Sequence, residues 1–532
     1  MGPATPSLIS VALWVLCISL VGYALSTLRR RSRSCLLPFP PGPKGLPLVG
    51  NVLDFPTRQT WHDHLGVRCC TGDVLHFRVL GESIIVLNSA AAVTELLEKN
   101  SANTADRARS VDLMVELTGN THNFGFMPYG QRWRDHRRVF WQYFHRDSVR
   151  AHHSTQRAVT HLLLDKLLTS PSEFKTHTRK AFTASVLHFV YGIDYASDDA
   201  GDKYAAAMET ALVSVVEGMI PGRFMVQYLP FLRYAPSWLP GMGWQELLAQ
   251  WRADNYQALT MPYEYSRANM DRQTDVKESM LGRHIASRSR NGEMPARDEE
   301  ILKGTSAIAF EAGMDTVSTT HVFTLQGGFL HFPSPEVVKK AQEELDTVVG
   351  PHRLPEFDDE PSLLYLRAVI MELLRWHNVL SIGVAHATTN DDVWRGWFIP
   401  AGRSFSLTAC MHDPQLFPDP HEFRPERFIK DGVIDTTVLD PTTFVFGYGR
   451  RICAGRHFAR AGLFITIASI LHVFDVSAPL DEQGKPIKIE PRFTDGLFSY
   501  PEDCRCTITP RSSAHAALIR TNAAAVRAAR GI

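Results

Sequence analysis

Apolar positions fall into three regimes along this chain. Between Gly2 and Leu28 no charged side chain occurs, and Leu8 to Leu28 is nearly all apolar. At 1.5 Å rise per residue such a helix is about 30 Å long, the thickness of a bilayer's hydrocarbon core. Arg29, Arg30, Arg31 and Arg33 follow at once. A cleaved signal peptide carries its positive charge before a shorter apolar run, so this order predicts a retained transmembrane anchor over 1–28. By the positive-inside rule the body then stays on the cytoplasmic side, as in a single-pass protein of the endoplasmic reticulum membrane. Residues 29–47 are basic and proline-rich, passing through Pro38-Phe39-Pro40-Pro41-Gly42-Pro43 to Pro47. Proline resists helix, so this stretch reads as a semi-rigid spacer.

The second regime is short. Val74 to Val79 and Ile84 to Leu87 read as two strands of a hairpin turning around Gly81-Glu82. Beyond Ser89 the spacing becomes helical and stays mostly so to about Trp376, after which Pro, Gly and strand-like runs return. Asp298, Glu299 and Glu300 make an acidic helix start, and apolar residues then recur to Phe332, just before Pro333. Ser334-Pro335 caps a further helix closed by Gly350. Leu363, Leu366, Ile370 and Leu373 share one face of a core helix ending at Trp376. No repeat or linker divides 48–510, so the body is expected to be one unit, mainly α with a smaller β region. The Ala/Arg-rich stretch 511–532 reads as a mobile tail.

Composition narrows the function. Lys+Arg and Asp+Glu are both 56, which argues against nucleic acid as the main partner. Eight irregularly spaced cysteines offer neither a disulfide scaffold nor a paired zinc framework. No Asn-x-Ser/Thr sequon occurs, so a reduced, cytosol-facing body is the simpler reading.

The most informative segment is Phe446-Gly447-Tyr448-Gly449-Arg450-Arg451-Ile452-Cys453-Ala454-Gly455. A lone cysteine is usually a buried structural thiol. A thiolate that ligates iron needs more. It needs small neighbours, here Gly449 and Gly455, so that backbone N–H groups can approach the sulfur. It needs a cation for carboxylates at the macrocycle edge, here Arg451, and a flat apolar partner, here Phe446.

The segment reads F-x-x-G-x-R-x-C-x-G and resembles the haem-binding signature of the cytochrome P-450 family. Five such matches arise by chance on the order of 10⁻⁴ times in a chain this long. Further motifs follow the family's order. Glu372 and Arg375 form E-x-x-R and Pro425-Glu426-Arg427-Phe428 follows; the resemblance implies a buried structural cluster of Glu372, Arg375 and Arg427. Trp133 and Arg137 form W-x-x-x-R, and with His386 they resemble the family's contacts to the haem propionates. Ala312-Gly313-Met314-Asp315-Thr316 resembles the motif in which a bulged helix makes room for dioxygen and Asp315 and Thr316 relay protons.

What the resemblance implies is the cytochrome P-450 fold with haem b on Cys453, inserting one atom of O2 into an apolar small molecule. The overall style is similar to fungal secondary-metabolism members, so hydroxylation of a terpenoid or aromatic intermediate is expected. No flavin or dinucleotide domain is found, so NADPH and flavins would act only through a separate NADPH–cytochrome P-450 reductase. Arg450, Arg456 and Arg460 are candidates for its docking face. Phe124, Phe126, Ala309, Ala312 and the stretch 379–384 are pocket candidates, mostly uncharged. The apolar, proline-broken run from Met219 to Trp244 reads either as body packing or as a second bilayer contact. Asn378, Ser381 and Ala385 depart from prolines common in the family at those places, so the pocket roof is expected to differ. Two other readings stay open: a haem-thiolate isomerase or dehydratase that does not use O2, for which Asp315-Thr316 has no task, and a non-catalytic ligand-binding protein.

Overall fold

Two residues in the left-handed region, Leu80 and Gly81 with φ of 46° and 91°, reverse the chain between strands β1 (Val74–Val79) and β2 (Glu82–Leu87). Positive φ at both central positions matches the twist of an antiparallel pair, so the hairpin turns one residue earlier than the sequence suggested. The computed structural model describes residues 37–531, apart from 48, 55–71, 195–199, 221, 290–293, 324–334, 381–382, 403, 408–409, 488–491 and 495–496. The expected anchor and the arginines after it lie outside the described residues. Among the described residues no helix is long and apolar enough to cross a membrane.

The proline-rich stretch is more than a spacer. Phe39 stacks on His76 at 5.1 Å, the His76 N–H donates to Pro41 O at 2.7 Å, and a Cβ on Gly42 would lie 1.9 Å from His76 O. Residues 38–42 are therefore seated on β1. With β3 (His386–Ala387) and β4 (Ser404–Leu407), the hairpin forms one sheet in the order β1-β2-β4-β3. β2 and β4 run parallel, and the other pairs antiparallel.

The rest is mainly helical. The principal helices are α1 (Gln131–Phe144), α2 (His153–Thr169), α3 (Phe174–Tyr191), α4 (Ala200–Gly218), α5 (Trp244–Asn269), α6 (Ala296–Phe323), α7 (Pro335–Val348), α8 (Leu364–Trp376), α9 (Arg456–Val473) and α10 (Ser513–Arg530). α6 starts at the acidic cluster as expected, while 324–332 of its expected span lie outside the described residues. One core gathers Phe124, Phe140, Phe189, Phe310 and Met314 around α1, α3 and α6. A second joins α2, α7, α8 and α9 through Leu164, Leu345, Leu366 and Phe464. α6 thus lies at the centre of the body.

The C-terminal stretch is a correction. In place of a mobile tail, 513–530 form α10, capped by the Ser512 hydroxyl and closed by Gly531 at φ 71°. Alanine favours helix, and Ala516, Ile519 and Ala523 make a buried stripe at helical spacing that packs on α2. Arg527 reaches Asp165 at 2.5 Å and Arg530 reaches Asp194 at 3.1 Å. Ile519→Asp would bury an unpaired carboxylate and is expected to undock α10. Limited proteolysis checks this: cleavage after residue 511 accelerates in the variant, and an unchanged cleavage rate refutes the docking.

Candidate active site

Cys453 lies just before the first turn of α9, where helix amides have no intrahelical partner. Its own N–H donates to Phe446 O at 2.6 Å, so Phe446 fixes the loop through its backbone. Burial pushes the Cys453 thiol up, while the Gly455 and Arg456 amides and the Arg137 and Arg456 guanidiniums pull it down. A sulfur facing two N–H groups, a helix start and two cations is a site made for a thiolate. The two glycines divide the work. Gly455 brings its amide to the sulfur. Gly449, at φ 51°, crosses the 97–101 segment so closely that a Cβ would meet Leu97 O at 2.6 Å.

Around this loop the structure buries an excess of positive charge. Arg451 donates to Ala105 O at 2.6 Å, Met127 O at 2.7 Å and Phe124 O at 3.2 Å, and lies 4.9 Å over the Trp133 ring. Arg137, one turn beyond Trp133 on α1, donates to Ile452 O. Burial lowers both guanidiniums to about 10, so both remain charged at neutral pH. Arg107, which no sequence motif marked, is buried beside Arg451 and donates to Gly125 O at 2.8 Å and Ala385 O at 2.6 Å. His386 in β3 bonds Thr104 O through Nδ1 at 2.9 Å; burial, with Arg107 and Arg451 nearby, lowers it to about 3, so it is neutral. Asp106 is the carboxylate beside Arg107 and Arg451. Buried Arg107 and Arg451 with the half-buried Arg137, against that one nearby carboxylate among the described residues, are costly unless an anion completes them. A haem bearing two propionates fits that demand, and the donor set at Cys453 fits its iron.

α6 packs against α9 and shares a core with Ala454, the residue after the cysteine. It is otherwise buried from Thr305 to Asp315, yet Ala312 is exposed, Gly313 is half-buried and Thr316, one turn on, is half-buried. A helix at the centre of a core that bares an alanine and a threonine one turn apart faces an opening there. Over Ala296–Phe323 the helix is uninterrupted, without the expected bulge. Gly313 has a packing reason as well, since a Cβ would stand 2.9 Å from Val186 Cγ2 on α3. Thr316 Oγ1 donates to Ala312 O at 2.6 Å. Asp315 is buried, accepts from the Tyr500 hydroxyl and pairs with Arg179 at 3.5 Å; Arg179 also pairs with Glu209 at 3.1 Å. Arg179 and Tyr500 were invisible in the sequence because they lie far from Asp315 along the chain.

At α8 the structure brings Glu372, Arg375 and Arg427 together. Arg375 Nε and Nη2 fork onto Glu372 at 2.7 and 2.9 Å, and Arg427 Nε joins at 3.1 Å, all side chains being almost fully buried. Arg375 also donates to Met411 O at 2.8 Å, and the Arg424 amide donates to Glu372 at 2.8 Å. This ties α8 to the segment that leads into the cysteine loop. Of the other candidates, Phe124, Phe126, Ala309 and Val379 are buried in the core containing Trp133 and Met314, while Leu380 and Val384 are partly buried against it; 381–382 lie outside the described residues. Arg450 is exposed but donates to the Tyr129 hydroxyl at 2.7 Å, Arg456 donates to Cys453 O at 3.0 Å, and Arg460 is exposed.

A fold of this kind with a cysteine so placed defines a haem-thiolate enzyme. The cytochrome P450 family pattern matches residues 40–501, and the chain belongs to that family. It is similar to cytochrome P450 monooxygenase COX1 of Coprinopsis cinerea, with 36% identity over 91% of this chain and 93% of that protein. It is also similar to tryptamine 4-monooxygenase of Psilocybe cyanescens, with 35% identity over 92% and 95%, and to cytochrome P450 monooxygenase claR of Ampulloclitocybe clavipes, with 33% identity over 97% and 94%. The chain is thus an oxidoreductase of the monooxygenase class, with fungal secondary-metabolism relatives.

Proposed function

We propose that this enzyme hydroxylates a largely apolar, aromatic or terpenoid secondary-metabolite intermediate, with electrons from NADPH delivered by a separate membrane-bound reductase. The observation that carries the reading is Cys453, whose sulfur faces two backbone amides and the Arg137 and Arg456 guanidiniums at the start of α9. Bound there, haem b supplies the activation of dioxygen and the transfer of one oxygen atom to a C–H bond. Arg137, Arg451 and Arg107 supply the positive charge that two propionates require, with Trp133 and His386 shaping the same wall. Phe446 holds the cysteine loop. Thr316 and Asp315 would pass the protons that the reaction consumes: the Thr316 hydroxyl, which rests on Ala312 O, would turn to donate at the open turn of α6, and Asp315 would take up a proton from solvent and return it to that hydroxyl. Tyr500 and Arg179 position that carboxylate.

The same reading places the body on the cytoplasmic face of the endoplasmic reticulum, anchored through 1–28. The exposed Phe231, Tyr234 and Trp238, at 65%, 81% and 77%, support a second bilayer contact by the segment before α5. The test is reconstitution of the full chain with a reductase. NADPH oxidation is expected only when reductase and substrate are both present. Thr316→Ala is expected to lower product per NADPH by 10²-fold or more, on the order of a lost general acid, with binding of substrate unchanged. Turnover by the chain with NADPH alone, or full coupling in Thr316→Ala, would contradict the reading.

A further inference from the structure

α6 carries a second acid that the reaction does not use. Glu311 lies on the turn before Asp315, is 6% exposed, and is flanked by Phe310 and Met314, both fully buried. Its carboxylate accepts from Asn123 Nδ2 at 3.1 and 3.2 Å. The orientation of that amide is fixed, because Asn123 Oδ1 accepts the Gly125 N–H at 2.9 Å. A carboxylate offers about four acceptor positions, and a single NH2 group serves this one. Asn120 stands alongside, fully buried, its amide turned to the same carboxylate but outside hydrogen-bond geometry, and neither of its polar atoms makes a hydrogen bond among the described residues. A buried amide so left is destabilising by about 1–3 kcal/mol.

The place of this cluster matters. Asn123 precedes Phe124, whose carbonyl holds Arg451 two residues from Cys453, and Glu311 precedes the exposed Ala312. The cluster therefore adjoins both the turn of α6 that bares Ala312 and the segment that holds Arg451. Around it the surroundings are apolar: Phe124, Phe126 and Ala309 belong to the same core. An acid that only amides meet and an amide oxygen without a hydrogen bond suit, in such surroundings, one ligand group that is cationic and donates hydrogen bonds.

We infer that Glu311, with Asn120 and Asn123, anchors a protonated amine of the substrate, so that the substrate is an apolar scaffold carrying one basic nitrogen. This rests on the monooxygenase reading above and departs from the expectation of a mostly uncharged pocket. Glu311 precedes Thr316 by five residues, about 7.5 Å along the helix axis, so oxidation falls several bonds from the nitrogen. Burial raises the Glu311 carboxyl to about 7, and the amides of Asn123 and Asn120 oppose this; no charged group of the described residues is among its influences. The carboxylate is thus mostly protonated at pH 6 and mostly ionised at pH 8, while an alkylammonium keeps its charge at both.

The test uses the full-length holoenzyme in lipid nanodiscs. Its probes are N,N-dimethyl-2-arylethylamines with phenyl, naphthyl and biphenyl rings, each paired with the 3-methylbutylarene in which CH replaces nitrogen. Binding is read from the spin-state shift of the Soret band. Glu311→Gln is expected to weaken the best amine by about tenfold or more and to change its hydrocarbon partner by less than about threefold. In the wild type, which needs no variant to fold, amine affinity is expected to rise about tenfold from pH 6 to pH 8, with the hydrocarbon flat. Amines that bind no differently in Glu311→Gln and show no rise with pH overturn the assignment, as does a panel in which no amine binds. Absence of the red-shifted ferrous–CO band in the wild type instead counts against the monooxygenase reading.

Discussion

Glu372→Ala is expected to leave little folded enzyme. The substitution strands Arg375 and Arg427, one fully buried and the other nearly so, without the carboxylate that both engage. Breaking a buried pair by removing one partner costs about 3–5 kcal/mol, against a total stability of about 5–15 kcal/mol. Here one carboxylate serves two guanidiniums and the Arg424 amide, so the upper part of that range applies. The consequence reaches the active site, because the cluster fixes α8 against the segment before the cysteine loop. A contrast sharpens the point. Arg132 and Glu300 are paired just as closely, at 2.8 Å, but both are half-exposed, and Glu300→Ala is expected to change stability by no more than about 1 kcal/mol. Chemical denaturation of both variants decides it. Equal midpoints would mean that the cluster is no lock.

What was legible in the sequence followed from local chemistry. The hairpin, the start of α6, the proline start of α7 and the buried face of α8 all rest on spacing and residue type within a few positions. Cys453, Glu372, Arg375, Arg427, Trp133 and Arg137 were found because each belongs to a short motif, and the structure gathers them: Trp133, Arg137 and Arg451 at the cysteine loop, the other three at the lock. The hidden residues have no such motif. Arg107 lies in an ordinary-looking loop and gains meaning only from burial beside Arg451. Glu311, one position before Ala312-Gly313, reads as a helix surface acid until Asn120 and Asn123 close over it. Arg179 and Tyr500 meet Asp315 from 136 residues before it and 185 after it. α10 was misread because an alanine-rich terminus looks like a tail when its partner helix α2, some 350 residues earlier, is not considered.

Cys453→Ser is the second large effect expected, and it bears on the central claim. Burial raises the Cys453 thiol, and against it stand the groups that favour a negatively charged sulfur: two amides, a helix start, Arg137 and Arg456. Serine fits the same space, keeps the amides and cations, and leaves the lock at α8 untouched. Its hydroxyl ionises far above the range in which a thiol does, so these favourable groups meet a neutral oxygen instead of a thiolate. The fold is therefore expected to survive while the haem-thiolate bond is lost, and with it more than 10³-fold of turnover. The measurement is the ferrous–carbon monoxide difference spectrum of the full-length protein beside its Cys453→Ser variant, with circular dichroism as the check on folding. The account predicts a strongly red-shifted Soret band in the parent and its disappearance in an equally folded variant. A variant that keeps the parent's band would show that another residue holds the iron.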